Sequence, residues 1–188
     1  MNKLAITSVF GLAFAAGSVL AGSAPLDHFK TLSMLDGDWR LSPVEQQEGG
    51  ATKKGPAQKL LGTDKTAIRF KVIGKGSTVQ ENLLPGTGKE MATMYHCDSF
   101  KDCTQVQAKH YCAKQNQPEL VLDAGKSNTR TIVMNCDMNS ALCKSVEGHV
   151  HRITHELSED NNHLKTTYTI FKGGKLEKHS IYHFDRKL

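Results

Sequence analysis

From residue 67 onward the chain alternates apolar and polar side chains in short runs separated by glycine, proline, asparagine and serine. Alternation with period two puts successive side chains on opposite faces and predicts strands. The runs are 67–73, 77–84, 90–97, 104–112, 120–123, 129–136, 146–157, 163–172 and 175–186. Turn residues fill the gaps, among them Gly74-Lys75-Gly76, Pro85-Gly86-Thr87-Gly88 and Gly173-Gly174. Two glycines between two alternating runs favour a two-residue primed hairpin turn. One segment follows a different period. In 26–35, Leu26, Phe29, Leu32 and Leu35 recur at helical spacing and predict a short N-terminal helix. Gly37-Asp38-Trp39-Arg40 opens the first strand, and 40–66 is expected to hold one or two further strands and a mobile loop around 46–50. The chain has no room for the crossover helices of a parallel sheet. The expected fold is all-β: an antiparallel meander of eight to ten strands, as a barrel or sandwich, with the short helix covering one end.

Parity along each strand sorts the side chains. In 149–157, His149, His151, Ile153, His155 and Leu157 share the face that holds the apolar members, which is the inward one. A Gly173-Gly174 turn would pair Tyr168 with His179, Ile170 with Glu177 and Thr166 with Ile181. Val79, Glu81 and Leu83 fall together, making Glu81 an inward carboxylate, and His110 and Cys112 share a face with Val106 and Ala108. Inward polar groups need partners or water, since burying one unpaired costs about 1–3 kcal/mol. A barrel of about eight strands encloses packed side chains or one small ligand. A lined cavity and a packed core are both open at this point. The cavity reading makes Glu81, His96, His110, Cys112, His149, His151, Tyr168 and His179 its lining.

The start of the chain has a different character. Lys3, the apolar run 4–16 and Val19-Leu20-Ala21 read as a signal peptide over 1–21, cut before Gly22. The run is too short to span a bilayer. Residues 22–188 then form one domain of a bacterial periplasmic or secreted protein, with no transmembrane segment in the mature chain. The formal charge of +5 becomes +4 when Lys3 is lost. That charge is dispersed and not interleaved with aromatic residues, which argues against a nucleic-acid partner. Five cysteines in an oxidising compartment invite pairing. Cys97 and Cys103 bracket one polar segment, and Cys136 and Cys143 bracket another. The expected disulfides are Cys97–Cys103 and Cys136–Cys143, with Cys112 free, the alternative being five reduced core thiols. Closing each loop contributes roughly 2 kcal/mol through chain entropy. Neither spacing is that of a zinc knuckle.

Gly37-Asp38-Trp39 after a short helix, with Arg186 in the last strand, resembles the calycin group of lipocalin-like barrels. In that group such an arginine packs on the tryptophan of the first strand. Gly76-Ser77-Thr78-Val79-Gln80-Glu81, Pro85-Gly86, Glu90-Met91-Ala92-Thr93-Met94-Tyr95-His96, His110-Tyr111-Cys112 and Asn116-Gln117-Pro118 resemble an uncharacterised bacterial family of lipocalin-like barrels. His149-Val150-His151 and Gly173-Gly174 also fall where that family has them. The resemblance spans 26–186 and implies a lipocalin-like barrel with Trp39 and Arg186 in structural roles. It implies no particular activity. The cysteines at 97, 103, 136 and 143 depart from the family pattern, as additions suited to an oxidising compartment.

Several chemistries compete. His149 and His151, with His110 as a third ligand, could hold a metal ion. Glu156 follows at a cupin-like spacing, but on the opposite parity and without flanking glycines or a second motif. His179 and His183 could offer an axial ligand to haem, by analogy with small histidine-bearing barrels of the nitrobindin type. Cys112 beside His110 lacks an oxyanion-binding loop. The reading that remains is non-covalent binding of a small apolar or amphiphilic molecule without a cofactor. Its rivals are a metal- or haem-dependent enzyme using the inward histidines, and an interaction or inhibitor protein that works through its loops.

Overall fold

Ten antiparallel strands follow one another around a closed barrel, each hydrogen-bonded to its sequence neighbours, and the last returns to pair with the first. The computed structural model describes residues 24–99 and 101–187. The expected signal peptide at 1–21 lies outside the described residues. The elements are α1 (Pro25–Ser33), β1 (Gly37–Leu41), β2 (Ile68–Ile73), β3 (Thr78–Leu83), β4 (Met91–Cys97), β5 (Val106–Tyr111), β6 (Glu119–Leu122), β7 (Thr131–Cys136), α2 (Ala141–Lys144), β8 (His149–Leu157), β9 (His163–Lys172) and β10 (Lys175–Arg186). Among the described residues no helix is long and apolar enough to cross a membrane.

Helix α1 packs against β4, β5 and β7 at one end of the barrel. Phe29, Leu32 and Leu35 are buried there, whereas Leu26 is exposed although helical spacing puts it on the same face. The chain turns from α1 into β1 through Trp39, whose indole N–H donates to the Leu35 carbonyl at 2.9 Å. Arg186 lies over the Trp39 ring, 4.1 Å from its centre. The guanidinium also donates to the carbonyls of Met34, Asp36 and Asn161. One arginine thus ties the end of β10 to the helix exit, the start of β1 and the β8–β9 turn. Cation–π attraction of this kind adds about 1 kcal/mol beyond the packing.

The segment between β1 and β2 forms no strand. It carries two single-turn 3₁₀ helices, Val44–Gln46 and Gln58–Leu60. Glycines at 49, 55 and 62 take positive φ and interrupt any extended run. This corrects the expectation of one or two strands in 40–66. The consequence falls on β10. Its pairing with β1 covers only Trp39↔Arg186, Arg40↔Asp185 and Leu41↔Phe184, so its first half has no strand on that side. Gln47 takes over as a surrogate strand. Its side-chain amide donates to the His183 carbonyl at 2.8 Å, and its side-chain carbonyl accepts from the His183 N–H at 3.3 Å.

Two bulges reset the parity. In β10, Leu176 pairs with Phe171 and Lys178 with Ile170, which leaves Glu177 as the extra residue. Gly173 and Gly174 both have positive φ and join Lys172 to Lys175, as a two-residue primed turn requires. The bulge then moves the partner of Tyr168 from the expected His179 to Ser180, that of Ile170 from Glu177 to Lys178, and that of Thr166 from Ile181 to Tyr182. In β8, Val150 pairs with Ile170 and Arg152 with Thr169, so His151 is the extra residue. A bulge reverses the alternation on either side of it.

Cys97 is bonded to Cys103, Cys136 to Cys143, and Cys112 is free and half-buried. Alkylation of the denatured, unreduced protein followed by mass analysis should therefore add one label, on Cys112. A label on Cys97 or Cys136 would contradict this pairing.

Candidate functional site

The centre of the barrel is built around a carboxylate. Glu81 sits on β3 between Val79 and Leu83, on the parity that faces inward, and none of it is exposed. Its two oxygens each accept a 2.5 Å hydrogen bond, from the hydroxyls of Tyr168 on β9 and Tyr95 on β4. Nε2 of His155 on β8 lies 2.9 Å from the Tyr95 hydroxyl and 3.3 Å from Glu81, and Nδ1 lies 3.0 Å from the Thr166 hydroxyl. The edge of the Phe70 ring closes over the imidazole, with centroids 5.4 Å apart.

Burial by itself raises the pKa of Glu81. Hydrogen bonds from His155, Tyr168 and Tyr95 and the attraction of His155 outweigh it, and the carboxyl stays below its ordinary value of 4.5. Burial, and then the Glu81 charge, push both tyrosines well above 10.0, so they act as neutral donors. His110 on β5 completes the interior polar set. It is fully buried, Nδ1 lies 2.8 Å from the Thr93 hydroxyl, and Nε2 has no partner among the described residues. Burial lowers its pKa against the opposing pull of Glu81, which favours neutral imidazole.

The residues proposed from the sequence as one lining are divided among several places. Glu81, His110 and Tyr168 face the interior. Cys112 lies just beyond β5 at the rim, where burial raises its thiol pKa and leaves it unactivated. His96 pairs with Thr78 and Gln107, on the parity opposite buried Tyr95, and so lies on the outer wall. His149 pairs with Phe171, and His151 stacks on that ring at 3.9 Å. Phe171 has the parity opposite Tyr168 and Ile170, so both histidines are outside. His179 also points outward, opposite Thr169, whose hydroxyl it meets at 3.1 Å. The expected shared face for 149–157 fails at the β8 bulge: Ile153, His155 and Leu157 remain inside. His110 is therefore apart from His149 and His151, and the three do not form one metal set.

Tyr95, Thr93 and Thr166 were not among the candidates. The signal for Tyr95 was its parity with Thr93, one residue off the more conspicuous His96.

At the end of the barrel away from α1, a cleft of about 340 Å³ opens between the free half of β10, the β3–β4 turn and the 50–57 segment. Leu84, Ala57 and Tyr182, all buried, form its deep wall, and Lys54, Lys89, Lys178 and His179 stand at its rim. The cleft is continuous with the core through Tyr182, whose ring meets Tyr168 edge-on at 6.1 Å. The β10 bulge is what puts Lys178 on the inward parity here, opposite Ile170.

No protein-family model matches the chain, and no curated protein matches it. The class defined by the structure is a closed, ten-stranded antiparallel β-barrel with a short helix and two disulfides. The disulfides fit an extracellular or periplasmic location.

Replacing Glu81 by glutamine sets an amide N–H₂ against one of the two hydroxyl donors, removes the buried charge that both hydroxyls and His155 stabilise, and should lower stability by about 2–4 kcal/mol. The sign with pH follows from the depressed folded-state value. The contribution of Glu81 is complete above the ordinary carboxylate value of 4.5 and is lost as pH falls through the folded value. Denaturant unfolding of wild type and Glu81→Gln should show a gap that is widest above about pH 5 and narrows on acidification. A gap independent of pH would mean that Glu81 is not ionised in the folded barrel.

Proposed function

We propose that the chain is an exported, lipocalin-like protein that binds a small amphiphilic anion at the mouth of the barrel. The carrying observation is the cleft opposite α1, where a buried apolar wall is rimmed by three lysines and a histidine. Its volume is at the small end of the range for ligand sites. Apolar burial against Leu84, Ala57 and Tyr182 supplies affinity, while Lys54, Lys89 and Lys178 select an anionic head and steer its approach. The interior supports this division of labour. Glu81, Tyr95, Tyr168 and His155 are engaged with one another, so the deep core supplies the frame and the mouth supplies the ligand contacts. The two disulfides and the leader-like first 21 residues support export.

Decanoate, with decanol as the uncharged control, tests the reading by calorimetry on the oxidised protein. Decanoate should bind once per chain and more tightly than decanol. Charge reversal in Lys54→Glu/Lys89→Glu should weaken decanoate by at least about tenfold, equivalent to 1.4 kcal/mol. Ser180→Trp, which fills the cleft from a half-buried position, should weaken both probes. Equal binding of the two probes would remove the anion from the proposal. Insensitivity to both variants would remove the mouth.

A further inference from the structure

Where β7 ends, apart from the residues of the mouth cleft, the β8 bulge brings two imidazoles beside a disulfide. The donor atoms of Cys136, His149 and His151 all lie within 4.8 Å of one another. Cys136 and His149 are almost completely buried and His151 is partly exposed, which leaves a way in from solvent. We propose that Cys136, His149 and His151 form a binding site for a thiophilic metal ion of the zinc or cuprous type, and that reducing the Cys136–Cys143 disulfide opens it.

The two histidines are arranged as ligands. Nδ1 of His149 is 2.8 Å from the Glu147 carbonyl, an acceptor only, so that nitrogen carries the proton. Nε2 therefore presents a lone pair and accepts from Nδ1–H of His151, 3.1 Å away; when a metal takes the place of that hydrogen, the His151 proton moves through solvent to its own Nε2 and frees Nδ1. A backbone carbonyl fixing the far nitrogen is the usual outer support of a ligating imidazole. Stacking on Phe171, with planes 9° apart, holds the His151 ring in place. In a tetrahedral site two imidazole nitrogens at about 2.0–2.1 Å from the metal are about 3.3 Å apart, close to the spacing already present.

The missing element is the thiolate, because Cys136 is held in the disulfide. The balance is simple. A dithiol reductant gives two electrons and two protons to the Cys136–Cys143 bond and leaves as its own disulfide. The metal then displaces the proton of the Cys136 thiol, which passes to solvent as the sulfur–metal bond forms. Cys143 belongs to α2, a four-residue helix in the β7–β8 connection, and its Cα lies 5.6 Å from that of Cys136. The freed Cys143, or water, takes the fourth position. The disulfide thus masks the site, and a change of redox state reveals it.

Two variants separate this from general thiol affinity, because each breaks the same disulfide and leaves one of its sulfurs. Without reductant, and in competition with a chromogenic chelator, Cys143→Ser should bind one zinc ion per chain. Cys136→Ser should bind at least about 100-fold more weakly. Adding His149→Ala and His151→Ala to Cys143→Ser should bring affinity down to the Cys136→Ser level, and oxidised wild type should bind no zinc here. Equal affinity in the two cysteine variants, or no loss on removing the imidazoles, overturns the proposal. If Cys143→Ser does not fold, dithiol-reduced wild type titrated with cobalt decides the matter. Tetrahedral thiolate–imidazole absorption that disappears in reduced His149→Ala/His151→Ala supports the site. Absence of that absorption in wild type, or its persistence in the variant, overturns it.

Discussion

A carboxylate enclosed in a barrel must find several donors at once, and the architecture is organised around that demand. Glu81 is reached by Tyr95, Tyr168 and His155, which come from β4, β9 and β8. An unpaired charge in that position would cost several kcal/mol, so the three strands are held in one register relative to β3. A one-residue slip of any of them would send its donor to the outer wall. Apolar packing supplies most of the stabilisation, while this polar centre selects a single arrangement of the strands.

Closure is unequal at the two ends. At the helix end, Trp39, Arg186 and α1 join the beginning and the end of the sheet into one packed unit. At the other end β1 stops at Leu41, and a glycine-punctuated segment takes the place of a strand beside β10. The Gln47 amide covers part of the exposed edge, which would otherwise be a template for pairing with another chain. The remaining gap is the mouth cleft. The same shortness of β1 therefore creates both the hazard and the concavity.

Much of the fold was legible because period-two alternation and turn chemistry are local signals. The boundaries expected for β9 and β10 match the observed strands, and the two local disulfides follow from spacing. The inward placement of Glu81, His110 and Tyr168 was also readable, since each lies on a stretch where the alternation is regular. Bulges defeated the rest. No residue type announces that His151 or Glu177 will be left out of the ladder, yet each extra residue reverses every parity assignment beyond it. His149, His151 and His179 were misplaced for that reason. The 40–66 segment failed differently: its polar, glycine-bearing sequence carries no period, and its course is set by packing on β10 and the mouth.

The bulge in β8 also bears on how such a surface can arise. Because His151 takes no place in the pairing, Val150 and Arg152 would remain opposite Ile170 and Thr169 if it were absent. A single inserted codon can therefore add an imidazole beside His149 without moving a core side chain. Structure and surface chemistry are in this sense separately inherited along one strand: the ladder is written in the paired residues, and the residue between them is free to acquire a use.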